Sequence, residues 1–227
     1  MAIGLFGKLP SQGDFISRRL AWELTAAWDD WLQAGLSQAR TLIGASWNET
    51  YLTAPLWRFQ LQPGVIGPGG WIGLWFASVD RVGRQFPLAL FEPLPAGWTG
   101  RYAVIEQDEA FFEVEDAALR GLDPRLEFEA FDRSFDGLSM LRPADPSSAV
   151  AQVVEIPDPL AEPSDRRCIR FPVDADMSHA LRAAQAAGAA DSCFFSWGNE
   201  QHAPSLCRCK GLIDASEFHA FIDGRWR

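Results

Sequence analysis

The chain is poor in the residues that carry out most enzyme chemistry. It has three histidines (His179, His202 and His219) and four cysteines in 227 residues. His179 and His219 fall in segments of helical spacing, and His202 lies in a turn beside Pro204 and Ser205. No Gly-x-Ser-x-Gly nucleophile elbow occurs. A Ser, His and Asp can be picked from any chain of this length, so their presence alone does not point to a triad. Cys207-Arg208-Cys209, with His202 and Cys193 upstream, offers ligand types that zinc accepts. Closed zinc sites, however, use Cys-x(2–4)-Cys pairs at a set separation. A Cys-x-Cys inside a strand puts both thiols on one face and reads as small buried side chains. Neither a metal nor a cofactor is expected.

Positive charge is scarce as well. Twenty Lys and Arg stand against thirty Asp and Glu, a net charge of −10. Nucleic-acid binders neutralise phosphates with clustered cations, so that class is excluded, and adhesion to an anionic membrane is disfavoured. A protein partner of basic or mixed charge suits the balance better. Carboxylates near organised turns or helices (Asp14, Asp29, Asp30 and Asp80) read as solvated faces before they read as metal-binding or hydrolytic pairs. Long apolar runs are missing too, so no membrane-spanning helix is expected. The first nine residues lack the length and cleavage pattern of a signal peptide. The expectation is a soluble cytoplasmic protein whose cysteines stay reduced.

Aromatic residues, by contrast, are abundant, with ten Trp and sixteen Phe. Most belong in a core, and a surplus marks a contact surface. With 48% hydrophobic and 22% charged residues the chain is globular. Ala2 to Phe6 reads as a buried strand broken by Gly7, Pro10 and Gly13, with Lys8 and Asp14 inside the break. A Walker loop fails here: Leu9 follows Gly7-Lys8 where a hydroxyl is required, and the earlier glycine is absent. From Phe15 to about Ile43 the spacing is helical. Leu56 to Leu61 alternates, as in a strand with one face wet. Trp71 to Val79 reads as a central strand covered on both faces, and Phe86 to Phe91 as another, the three forming an antiparallel meander. Helical spacing returns over Glu106 to Leu122 and Arg125 to Phe135, with Asp123 as N-cap and Pro124 at the first helical position. Ala149 to Ile156 reads as a strand between loops at 143–148 and 157–165. Then come strand Arg167 to Phe171, helix Met177 to Ala187 capped by Asp176 or Ser178 and ended by Gly188, strand Cys193 to Trp197 and short strand Cys209 to Ile213. A last helix, Ala215 to Ile222, is capped by Asp214 and closed by Gly224. The expected fold is α/β: one domain over 1–227, a mixed, largely antiparallel sheet with helices on both faces in a three-layer α/β/α sandwich. Lobe boundaries, if present, fall near 93–100 and 157–165.

The polar residues enclosed by chain breakers are the candidate binding residues: Lys8, Asp14, Arg81 and Arg84. Loop charges held by a rigid sheet are where binding residues usually sit. A structural ion pair, such as Asp14 with Arg84, is the competing account. Trp71 beside Gly70 and Trp197 in its Trp-Gly-Asn turn are candidate aromatic anchors, with core packing as the alternative.

Four stretches occur in a telling order: Phe6-Gly7-Lys8-Leu9-Pro10 with Gly13-Asp14-Phe15; Trp28-Asp29-Asp30-Trp31-Leu32; Gly83-Arg84-Gln85-Phe86-Pro87-Leu88; and Phe195-Ser196-Trp197-Gly198 ahead of Gly211-Leu212. Together they resemble the TagF family of proteins associated with bacterial type VI secretion. The last stretch departs from the commoner double-tryptophan form, reading Phe194-Phe195-Ser196-Trp197. The resemblance implies a non-enzymatic, post-translational negative regulator that restrains secretion by binding the forkhead-associated scaffold protein Fha, alongside a threonine kinase and phosphatase pathway. Some relatives carry a PppA-type phosphatase domain behind this one. None is expected within these residues, so no enzymatic role is carried over. The competing readings are an enzyme of that phosphorylation pathway and a structural component of the secretion apparatus.

Overall fold

Successive side chains of a strand point to opposite faces, and in this chain both faces are apolar. The computed structural model describes residues 2–98, 102–142, 166–170, 176 and 190–226. Its strands are β1 (Gly4–Gly7), β2 (Ile16–Arg18), β3 (Trp57–Leu61), β4 (Trp71–Phe76), β5 (Leu88–Pro93), β6 (Arg166–Arg170), β7 (Ser192–Ser196) and β8 (Ser205–Cys209). They form one eight-stranded sheet in the order β2-β1-β5-β4-β3-β7-β8-β6. Every described pairing is antiparallel, so the sheet expected to be mixed has no parallel pair among the described residues. Strands from before residue 93 and after residue 165 share this sheet.

The helices are α1 (Trp22–Ile43), α2 (Trp47–Leu52), α3 (Ala103–Glu106), α4 (Asp108–Leu119), α5 (Phe128–Arg133) and α6 (His219–Asp223). Two apolar clusters divide them. Leu5, Ile72, Leu74, Leu88, Leu90 and Phe195 pack with Val104, Ile105, Phe111, Val114 and Phe131 of α3, α4 and α5. Phe59, Trp75, Phe91 and Phe194 pack with Trp28, Trp31 and Leu32 of α1, Tyr51 of α2 and Phe221 of α6. The Trp28 ring lies 4.8 Å from Phe59 and 5.0 Å from Phe91, within the range where aromatic pairs add to area burial.

Four expectations need correction. The helix expected from Phe15 begins only at Trp22. Residues 16–18 instead form edge strand β2 against β1. The turn between them is made by Arg19, held at φ +58° while its Nε donates to the Ile3 carbonyl at 2.7 Å. In β3 the alternating polar residues do not face water, because all five positions are buried. Arg58 and Gln60 point into the cluster under α3 and α4, where Arg58 meets two carboxylates and the Gln60 carbonyl accepts from Ala103 N at 2.9 Å. The helix expected over Glu106 to Leu122 is α4 over Asp108–Leu119 with a 3-10 turn at Arg120–Leu122, and Glu106 instead ends the short α3 before it. Asp123 caps no helix: its Oδ1 accepts from Arg125 N at 2.9 Å, and α5 starts later, at Phe128.

Near the C-terminus the Cys209–Ile213 strand lies earlier, at β8. The helix expected over Ala215 to Ile222 is a 3-10 turn at Ala215–Glu217, capped by Asp214 accepting from Ser216 N, followed by α6, which has no side-chain cap. Gly224 sits at φ +68° after α6, as expected. Helix 177–187 with Ser178 and Gly188, the strand at 149–156 and the loops at 143–148 and 157–165 lie outside the described residues. Asp176 is described, and it is exposed.

Candidate functional site: two interlocked loops at one sheet end

The break after β1 and the loop between β4 and β5 close on each other. Gly7 is required where they meet. Its φ is +136°, and a Cβ there would lie 2.1 Å from the Pro87 carbonyl oxygen. Past Gly7 the chain turns through a Gln12 N to Leu9 O bond of 2.9 Å. Across from it, residues 78–86 fold over a Val79–Gln85 bridge, with Phe86 N donating to Ser78 O at 3.1 Å. The Ser78 hydroxyl donates to the Lys8 carbonyl at 2.8 Å, and the Tyr51 hydroxyl donates to Ser78 O at 2.9 Å. Burial pushes the Tyr51 phenol well above its usual range, so it stays a neutral donor.

Asp80 is the centre of this lock, and its side chain is fully buried. It accepts from Lys8 Nζ at 3.0 Å, Arg84 Nε at 2.6 Å, Arg84 N at 2.9 Å and Val82 N at 3.1 Å. Burial alone would raise its carboxyl. The backbone bond from Arg84, the two cationic side chains and the Val82 amide outweigh it and hold the carboxyl far below the usual range. Lys8 is 6% exposed and lies 5.0 Å above the Phe15 ring. As a candidate partner contact it is therefore corrected: its ammonium neutralises Asp80 inside the protein. The Asp14–Arg84 pair is not formed. Arg84 meets Asp80 and the Gly13 carbonyl, while Asp14 turns back onto Phe15 N at 2.8 Å.

What this lock presents outward is mixed. Arg84 keeps 61% of its side chain exposed. Arg81 is exposed and tied to the first loop through Ser11 O at 2.7 Å and its own amide on Gln12 O at 2.8 Å. Between them Val82 is 73% exposed, and Phe15, stacked on Phe6 and edge-to-face with Phe86, is 42% exposed. The result is two arginines beside two apolar side chains, fixed on a rigid base. Four of the six candidates, Lys8, Asp14, Arg81 and Arg84, are thus brought together.

The two tryptophans are not among them. Trp71 is half-buried at the other end of β4, opposite Leu61 and Pro93, about 17 Å from the loop at ~3.3 Å per residue. Trp197 follows β7, which β3 separates from β4. It is half-buried against Phe195, and its Nε1 donates to Asp108 at 3.0 Å. The same carboxylate accepts from Arg58 at 2.6 Å, and Glu115 takes the other side of that guanidinium at 2.6 Å. The turn after Trp197 needs Gly198, because a Cβ at its φ of +74° would meet the His202 carbonyl at 2.0 Å. Cys207 and Cys209 are buried in the cluster beneath α1, and Cys193 lies in the cluster on the opposite face. Burial pushes the Cys193 thiol up to about 12, which makes it a poor nucleophile. Asp80 as an anchor and the supports from Tyr51 and Ser78 carry no motif of their own, so sequence reasoning passed over their roles.

The TagF N-terminal domain, type VI secretion system-associated, matches residues 4–138, which hold the first three of the ordered stretches and the whole lock. The chain belongs to the TagF family. Its fold is similar to the crystal structure of PA0076 from Pseudomonas aeruginosa PAO1, with a TM-score of 0.74 and 30% identity over 100% of this chain and 96% of that one. No protein of curated function matches. No helix among the described residues is long and apolar enough to cross a membrane. This TagF chain thus carries the family signature as a structural lock.

Proposed function

We propose that this TagF chain is a post-translational negative regulator of a type VI secretion system. It acts in the cytoplasm by stoichiometric binding to the forkhead-associated scaffold Fha, with no bond made or broken. The fold is read as a single three-layer α/β/α sandwich whose loop end is the binding edge. The observation that carries the proposal is the lock itself. Lys8 and Arg84 both bond to the buried Asp80 and fix the two loops, while Arg81, Val82 and Phe15 are exposed to solvent. Such rigid, partly apolar loops bind at low entropic cost. The arginines favour a scaffold segment that carries carboxylates or phosphates.

The test is isothermal titration of the full chain against Fha from the same organism, with and without phosphorylation of the scaffold. Saturable 1:1 binding, weakened at least tenfold by Arg81→Glu or Val82→Asp, is the expected result. No heat and no co-elution at high micromolar concentration would overturn direct capture of Fha. Lys8→Glu is a poor probe, because it places two carboxylates together in the interior.

A further inference from the structure

A second surface differs in kind. Helix α4 buries Ala110, Phe111, Val114, Ala117 and Ala118, the stripe expected of an amphipathic helix. On the side away from the core Phe112 is 68% exposed and Leu119 44%, with Leu122 of the following 3-10 turn at 39%. Phe112 and Leu119 are two turns apart, about 10.5 Å along the axis at ~1.5 Å per residue. Glu109, Glu113 and Asp116 are exposed on the same helix. Residues 106–142 hold eleven carboxylates and four arginines, and Arg18, Arg19 and Arg58 reach in from outside to pair with four of the carboxylates, so the region keeps a net −4. Arg142 pairs with Glu109 and Glu113, and Arg120 with Asp116, but these are exposed pairs that bind weakly and leave the excess negative charge in place.

We propose that this face of α4 docks a basic amphipathic helix of a protein partner, at a site separate from the interlocked loops. Two apolar anchors at seven-residue spacing match the i and i+7 contacts by which helices lie along one another. The surrounding charge selects a cationic partner and rejects an anionic membrane. It also rejects a second copy of the same face, since a two-fold contact would set these carboxylates against their own images. The inference does not rest on Fha.

The test uses the full chain and a fluorescein-labelled 18-residue peptide of Leu and Lys in helical heptad pattern, read by anisotropy in 150 mM salt. A Leu and Glu peptide of the same pattern serves as comparison. The expected result is saturable binding of the Lys peptide alone. Phe112→Ser with Leu119→Ser, and separately Asp116→Arg, should each weaken it at least tenfold. Asp30→Arg on α1 and Arg81→Glu on the loops should change it less than twofold. These are all exposed positions, and an unchanged melting temperature checks that each variant is folded. Failure of the Lys peptide to saturate overturns the proposal. So does an equal loss with Asp30→Arg, which would show attraction to net charge alone.

Discussion

The loop end and the α4 face both carry dense charge, and they use it in opposite ways. At the loop end the central charges turn inward. Lys8 and Arg84 satisfy the buried Asp80, and what reaches solvent is a small apolar patch with Arg81, the outer part of Arg84 and Asp14. On α4 the carboxylates turn outward, and only Asp108 and Glu115 reach in to meet Arg58. Buried charge shapes a surface, whereas exposed charge chooses its partner. One region spends its ions on geometry and the other on selectivity.

The contrast is broken most severely at Gly7. Gly7→Ala forces a Cβ into the Pro87 carbonyl at positive φ, and a loss of about 3 kcal/mol is expected. At ~2–4 °C per kcal/mol that is a fall in Tm of roughly 6–12 °C by calorimetry. Next is Arg58→Leu, which strips the inward carboxylates of their cation. About 2 kcal/mol is expected, less than the ~3–5 of a fully buried pair, because Asp108 is 40% exposed. Trp197 fluorescence should shift with it, since its Nε1 shares Asp108.

Acid sharpens the comparison, because carboxyls in the two regions respond with opposite signs. The folded carboxyl of Asp80 titrates below its ordinary 3.8, so its contribution is complete above that value and is lost as pH falls through the folded one. Partial desolvation raises the carboxyl of Glu106, a solvent-reaching residue just ahead of α4, above its ordinary 4.5. Its cost is therefore present at neutral pH and is relieved as pH falls through the raised value. Urea titrations from pH 7 to 3 should show Asp80→Asn less stable at neutrality and flatter below pH 4. Glu106→Gln should be more stable than the parent at pH 7 and level with it at pH 4. The smallest effect on stability belongs to Arg81→Glu. Its melting point should move by the equivalent of about 0.5 kcal/mol or less, while Fha titration shows the tenfold loss.

Much of this was legible in the residues because backbone constraint leaves a local mark. Gly7 and Gly198 stand where only glycine fits, and Gly7 lies within the residues that match the family domain. The meander read correctly because Trp71 to Phe76 is apolar on both faces and its connections are short. β3 misled for the opposite reason: Arg58 and Gln60 alternate with Trp57, Phe59 and Leu61 as in a half-wet strand, and their answering groups lie more than forty residues away. No local pattern announces a distant carboxylate. The same holds at Asp80, whose adjacent arginines suggested an exposed loop while its lysine partner lay 72 residues upstream. Residues 15–21 were drawn into the helix because the apolar spacing runs on through a strand and a turn, and only pairing with β1 separates them.

Trp31 Nε1 donates to the Ile213 carbonyl, and Trp57 Nε1 to that of Phe221. Gly35 is bare because the Phe218 ring occupies the space of its missing side chain. The tryptophan layer built by α1 and β3 is therefore closed only by residues more than 150 positions further along, so a chain made as far as β5 still has that layer open. Trp28 and Trp31 are thus exposed apolar surface until the segment from Ile213 to Phe221 covers them.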